Sequence, residues 1–113
     1  MLSKPNRLRS SKDFAHITKI GSRASTPSLV LYLHSSKELP QDPQVGFIIS
    51  KAVGGSVLRH RIARQLRHAI REHLLTLPPH SQIVVRVLKV SDDFASELND
   101  GIRRILKKSS AQI

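Results

Sequence analysis

Arginine and histidine crowd one stretch of this sequence. Arg59, His60, Arg61, Arg64, Arg67, His68 and Arg71 stand within 13 residues, and Glu72 is the acid beside them. Placing successive residues about 100° apart, as an α-helix does, separates two faces. His60, Arg61, Arg64, Arg67, His68 and Arg71 share one sector, and Leu58, Ile62, Leu66, Ala69 and Ile70 form an opposing apolar stripe. The chemistry this pattern suits is anion recognition. A guanidinium forks two phosphate oxygens, so Arg at one-turn spacing matches a row of phosphates. Arg59 falls off the sector and is expected in the first turn or the entering loop. Gly54-Gly55-Ser56 is expected to turn the chain and to offer free N–H groups at the positive end of the helix dipole. Lys51, at the end of the preceding strand, reaches toward the same place.

Other chemistries fit less well. The glycine turn lacks the GK[ST] ending of a nucleotide-binding loop. Six His and no Cys raise a metal or ribonuclease reading, but no two His stand at i, i+4 on one helix. His60 and His68 could act as an acid–base pair in a protein-only nuclease. Asp92, Asp93, Glu97 and Asp100 could seed a metal nuclease site, although a helix start accounts for the first two. A basic amphipathic helix can lie on an anionic membrane, but here the apolar stripe is needed to cover a sheet. Aromatic content is 4%, too little for a broad base-stacking platform; Phe14 and Tyr32 are the plausible pair.

These side chains need a scaffold, and the chain can build one. It has 113 residues, one domain's worth, with 39% hydrophobic content and 19 Lys and Arg against 8 Asp and Glu, a formal charge of +11. Such a balance in a folded domain points to a polyanion, most often nucleic acid. Residues 1–74 hold 13 of the cations and 4 of the acids, so the partner surface is expected mainly there. No apolar run approaches a membrane span, the basic N-terminus lacks the apolar core of a secretory signal, and Cys is absent. The expected setting is the cytoplasm.

Ser10 or Ser11 can cap a first helix that ends at Gly21, with Phe14 and Ile17 on one face. Residues 28–34 alternate as a strand with Leu29, Leu31 and Leu33 toward a core, and 22–26 can add an edge strand before Pro27. Strands at 45–51 and 82–88 follow, the latter an apolar run broken by Arg86. Between them lies the basic helix, about 20 residues long. Ser91 is expected to cap a last helix from Asp92 to about Lys108, with Phe94, Leu98, Ile102 and Ile105 buried. The class is α+β, helices packed on a small sheet. We expect a single RNA-binding domain over 1–113, with 1–9 a basic arm and 109–113 a frayed tail.

The stretch VGFIISKAVGGSVLRHRIARQLR resembles the signature of the protein subunit of bacterial ribonuclease P. That signature is a strand, a Ser-Lys, a Val-Gly turn and an Arg-Asn-Arg helix entry. Lys51, Arg59, Arg61, Arg64 and Arg67 fall on its basic positions, and Arg7-Leu8, Asp13-Phe14 and the strand Leu29 to Tyr32 fit its N-terminal pattern. The likeness covers nearly the whole chain. It implies an αβββαβα sandwich with a left-handed βαβ crossover into the basic helix, and no catalytic residue or metal site in this chain. A catalytic RNA subunit with bound Mg²⁺ would remove the 5′ leader of precursor tRNA. The protein would hold that RNA through Lys51, Arg59, His60, Arg61, Arg64, Arg67, His68 and Arg71. A cleft would hold the leader, with Arg7, Phe14, Thr18 and Tyr32 on its positions. The chain departs from the pattern at Ala52, His60, Ala63 and Gln65, and at Thr18, where the family usually has an aromatic.

Overall fold

The structure, a computed structural model, describes residues 11–111. Arg7 and the expected 1–9 arm lie outside the described residues. The order is α1 (Ser11–Ile20), β1 (Ser22–Ser25), β2 (Leu29–Ser35), β3 (Gln44–Ile49), α2 (Ser56–Arg71), β4 (Ser81–Val87) and α3 (Phe94–Ala111). This is the α+β sandwich expected, three helices on one four-stranded sheet.

The sheet runs β1-β2-β4-β3. β1 pairs antiparallel with β2, and β2 with β4, whereas β3 lies parallel to β4. A parallel pair needs a crossover, and α2 supplies it. The alternation read in β2 divides the core in two. Leu29, Leu31 and Leu33 join Val45, Ile83, Val85 and Val87 beneath α2 and α3. Val30 and Tyr32 face the other way, with Val84, against Ile17 of α1, and Phe14 and Ile48 pack at their margin. Both faces are therefore covered, which explains why β2 and β4 are buried on successive residues.

Close packing limits two glycines. A Cβ on Gly21 would lie 2.7 Å from the Ile17 carbonyl oxygen and 2.8 Å from that of Leu33, so only glycine lets α1 turn straight into β1. A Cβ on Gly101 would lie 2.9 Å from Leu31 Cδ1, which is how near α3 comes to β2. His80 takes a φ of 58° before β4, a conformation His tolerates better than most residues. Its Nδ1–H donates to the Leu39 carbonyl at 2.7 Å, tying down the loop between β2 and β3.

Element boundaries differ from the sequence expectation: β1, β3 and β4 end one or two residues early, β3 at Ile49 so that Lys51 falls in the turn after it, and the helices differ more. α2 has 16 residues rather than about 20, ending where the His73 N–H turns back to the Ile70 carbonyl at 2.9 Å. α3 starts at Phe94, not Asp92, because Asp93 is the residue that caps it: its carboxylate accepts the Ser96 N–H at 3.0 Å. Ser91 instead accepts the Asp93 N–H and donates to Glu97. At the other end α3 continues through Ala111, so 109–111 of the expected tail are helical.

Glu97 joins the start of α3 to the β1–β2 turn. Its carboxylate accepts the Thr26 hydroxyl at 2.7 Å and the Ser28 N–H at 2.7 Å, besides the Ser91 hydroxyl. Burial pushes its pKa up, but the hydrogen bonds from Ser91, Thr26 and Ser28 together outweigh that and hold it below the usual carboxylate value.

Candidate nucleic-acid interface

A groove of about 360 Å³ opens where α1, β3 and the first half of α2 meet. Phe14 stands on one side, and Arg59, His60, Ala63 and Arg67 on the other. Its floor includes Gly46, where the strand presents backbone alone. No acidic side chain lines it among the described residues.

The helical wheel of α2 explains which cations enter. Ile62, Leu66, Ala69 and Ile70 are buried against the sheet and α3, with Leu58 half-buried. Arg59, Ala63 and Arg67 recur every four residues and run along one margin of that stripe, over the groove. Arg61, Arg64, His68 and Arg71 lie farther round and are exposed. The single basic sector expected from sequence is thus two surfaces, a groove wall and an outer face.

Arg59 lies in the first turn of α2, as expected. It lies in regular helix, its N–H donating to the Gly55 carbonyl at 3.0 Å, so the wheel applies to it. That position, off the outer sector and beside the core, half-buries the side chain at the groove. Its Nε is buried with no hydrogen-bond partner. A buried donor left unsatisfied costs about 1–3 kcal/mol.

The glycine turn contributes less than expected. The Gly54 N–H already donates to the Lys51 carbonyl at 3.2 Å, and the Val53 N–H to the Ser50 carbonyl at 3.1 Å. The remaining donors are those of the first turn of α2, which no intrahelical carbonyl can satisfy. Gly55 caps that turn without a side-chain hydrogen bond, and no acid sits in it, so the dipole is left unneutralised. Lys51 is exposed in the turn between β3 and α2.

Of the residues expected at a leader cleft, Phe14 lines the groove. Thr18 does not; its hydroxyl donates to the Ala15 carbonyl at 3.0 Å. Tyr32 is 6% exposed in the core against Ile17 and Val84, behind the groove rather than in it. Arg7 is outside the described residues. Two cations on the α1 face of the sheet were not singled out from sequence. Arg23 holds its guanidinium 6.0 Å from the Tyr32 ring centroid, and Arg86 sits between Val30 and Ile48 in register. The signal for Arg86 was present: it interrupts an apolar strand at a position of defined parity.

The alternative constellations are not assembled. His60 lines the groove, whereas His68 shares a different hollow with Arg71 and Glu72, about 12 Å farther along the helix. Glu97 and Asp93 are engaged in the contacts above, and Asp100 pairs with Arg104 at 3.3 Å. Among the described residues no three His, Asp or Glu side chains gather into a metal-holding group. No helix among them is long and apolar enough to cross a membrane.

Fold and groove together define a small basic α+β protein whose cations converge on a crossover helix. Comparison with known proteins gives the family. The family model described as Ribonuclease P matches residues 2–110. The "Ribonuclease P protein component" of Streptomyces griseus is 41% identical, over 94% of this chain and 96% of that one. The protein of the same name from Mycobacterium ulcerans is 38% identical, over 98% of each. Among solved structures, the Staphylococcus aureus RNase P protein superposes with a TM-score of 0.72 at 24% identity, over 92% of this chain and 94% of that one. The chain belongs to the ribonuclease P protein family, whose named role is as a component of the tRNA-processing ribonuclease.

Proposed function

We propose that this chain is the accessory protein of a ribonuclease P whose chemistry is carried by RNA, acting in the cytoplasm. α2 and the turn before it hold the catalytic RNA through Lys51, Arg59, His60, Arg61, Arg64, Arg67, His68 and Arg71. The groove receives the unpaired 5′ leader of precursor tRNA, with Phe14 stacking on a base and Tyr32 backing α1. The observation that carries this reading is a groove that sets Arg59, His60 and Arg67 opposite Phe14, with no acid in its lining among the described residues. Cations suit a phosphate backbone and a ring beside them suits a base; single-stranded RNA brings both. Mg²⁺ is the expected cofactor, bound mainly by the RNA.

The test is a cleavage assay on one 5′-labelled precursor tRNA at low millimolar Mg²⁺. Protein alone, a bacterial ribonuclease P RNA alone and the mixture are compared. Correct 5′ processing that is stimulated in the mixture and absent with protein alone supports the proposal. Cleavage by protein alone, lost in His60→Ala or His68→Ala, would overturn it. Tight RNA binding with no change in cleavage would reduce the chain to a structural RNA-binding protein. Arg61→Ala should weaken binding of the RNA by about 1–3 kcal/mol in a filter titration if its contact is a desolvated fork.

A further inference from the structure

The last third of the chain, nearly balanced in charge by sequence, forms a second concentrated basic surface once folded. α3 crosses the free edge of β1 and encloses a groove of about 620 Å³ there. Its lining is Arg23, Ala24 and Ser25 of β1 with Arg104, Lys107 and Lys108 of α3. The three α3 cations fall within about 100° of the helix circumference. Asp100, one turn earlier, pairs with Arg104 but does not line the groove. No acid lines it among the described residues.

Two of these cations have a structural task. Lys108 Nζ donates to the Arg23 carbonyl at 2.6 Å, and Arg104 Nη2 donates to the Ser25 carbonyl. Neither bond neutralises the charge. An ammonium has three donors and a guanidinium five, so most remain available for another acceptor. Lys107 makes no ion pair among the described residues and is exposed.

We infer that this groove is a second contact for an RNA sugar–phosphate backbone, separate from the α2 surface. The inference rests on the proposal that the chain binds RNA. β1 and β3 are the opposite edges of the sheet, three strand spacings or about 14 Å apart, with α2 and its groove on the β3 side. Two cationic surfaces so placed would engage two different RNA segments, so the protein would bridge rather than only cover its partner. The occupant is backbone rather than bases, because the groove offers cations and no aromatic side chain lines it among the described residues.

The chain has no cysteine, so one introduced thiol is a unique attachment point. Lys107→Cys and, separately, Arg64→Cys would carry a photoactivatable aryl azide and be irradiated in the complete complex with ribonuclease P RNA and precursor tRNA. Crosslinks from Lys107→Cys to an RNA segment distinct from that reached by Arg64→Cys are expected. In parallel, Lys107→Glu should lower affinity about 3- to 10-fold at low salt. It should also reduce the log–log salt slope by about 0.7–0.9, without shifting the thermal midpoint. RNA crosslinks from Arg64→Cys alone, with unchanged affinity and slope in Lys107→Glu, would overturn this inference and leave the α2 proposal standing. Absence of RNA crosslinks from both positions would overturn both.

Discussion

The two edges of the sheet use the same residue types for different ends. At the β1 edge the outward carbonyls of Arg23 and Ser25 are covered by Lys108 and Arg104, which shields an otherwise open template for strand pairing. At the β3 edge, Arg59 and Arg67 flank the strand, and the Arg59 Nε is left buried and unpartnered. Arg104 and Lys108 each commit one donor to the fold and keep others, whereas the Arg59 Nε has no acceptor among the described residues. The count of Lys and Arg therefore says less about binding than whether their donors already have acceptors.

That contrast can be broken experimentally, and the largest effect belongs to the β3 side. Replacing Arg59 and Arg67 together with Met should lower affinity for the RNA subunit by about 100-fold or more, since each charge-assisted contact contributes about 1.5–3 kcal/mol. Folding stability should hold or rise by up to about 1 kcal/mol, because the orphaned donor goes with Arg59. A fall in stability matching the fall in affinity, seen in urea unfolding, would show that these arginines are structural and erase the distinction.

The second test concerns the anchor that sets α3 against the β1–β2 turn. Glu97→Gln should destabilise the protein by about 1–3 kcal/mol at neutral pH, since an amide cannot accept the same three hydrogen bonds as strongly. Because the Glu97 pKa is lowered on folding, its contribution is fully present above the unfolded carboxylate value of about 4.3. It is lost as pH falls through the lower folded value. The gap between wild type and Glu97→Gln in urea midpoints should thus narrow below pH 4, and a gap that widens there would contradict the assignment.

A smaller effect is expected at the sealed edge. Arg104→Ala and Lys108→Ala should each lower stability by about 0.5–1.5 kcal/mol through loss of one exposed bond to β1. Faster amide exchange in β1 than in β3 is the accompanying sign. If neither variant moves the urea midpoint, the seal is geometric only, and these two cations are as free for a partner as Lys107. The smallest effect, a change of about 0.7–0.9 in salt slope per groove cation removed, serves to rank individual residues.

The periodicities in this sequence were enough to specify much of the fold. Alternation placed Leu29, Leu31 and Leu33 in the core, and the 3.6-residue stripe in α2 named four of its buried residues and the half-buried Leu58. Both signals are local, because a side chain's direction follows from its parity or its angle along one element. The family, too, was legible from the strand, turn and basic helix entry.

The separation of the basic helix into a groove wall and an outer face was not legible. The wheel sets Arg59 and Arg67 at a different angle from Arg61 and Arg64, but not what stands opposite them, namely Phe14 and the edge of β3, which are distant in sequence. The cover over β1 was equally hidden, since it joins Arg23 to Lys108 across 85 residues. The burial of Tyr32 depended on α1 lying across that face. Composition and spacing determine which way a side chain points from its own element. Whether its charge meets a carbonyl, an acid or open space is decided only when the elements pack, because that depends on neighbours the chain brings from far away.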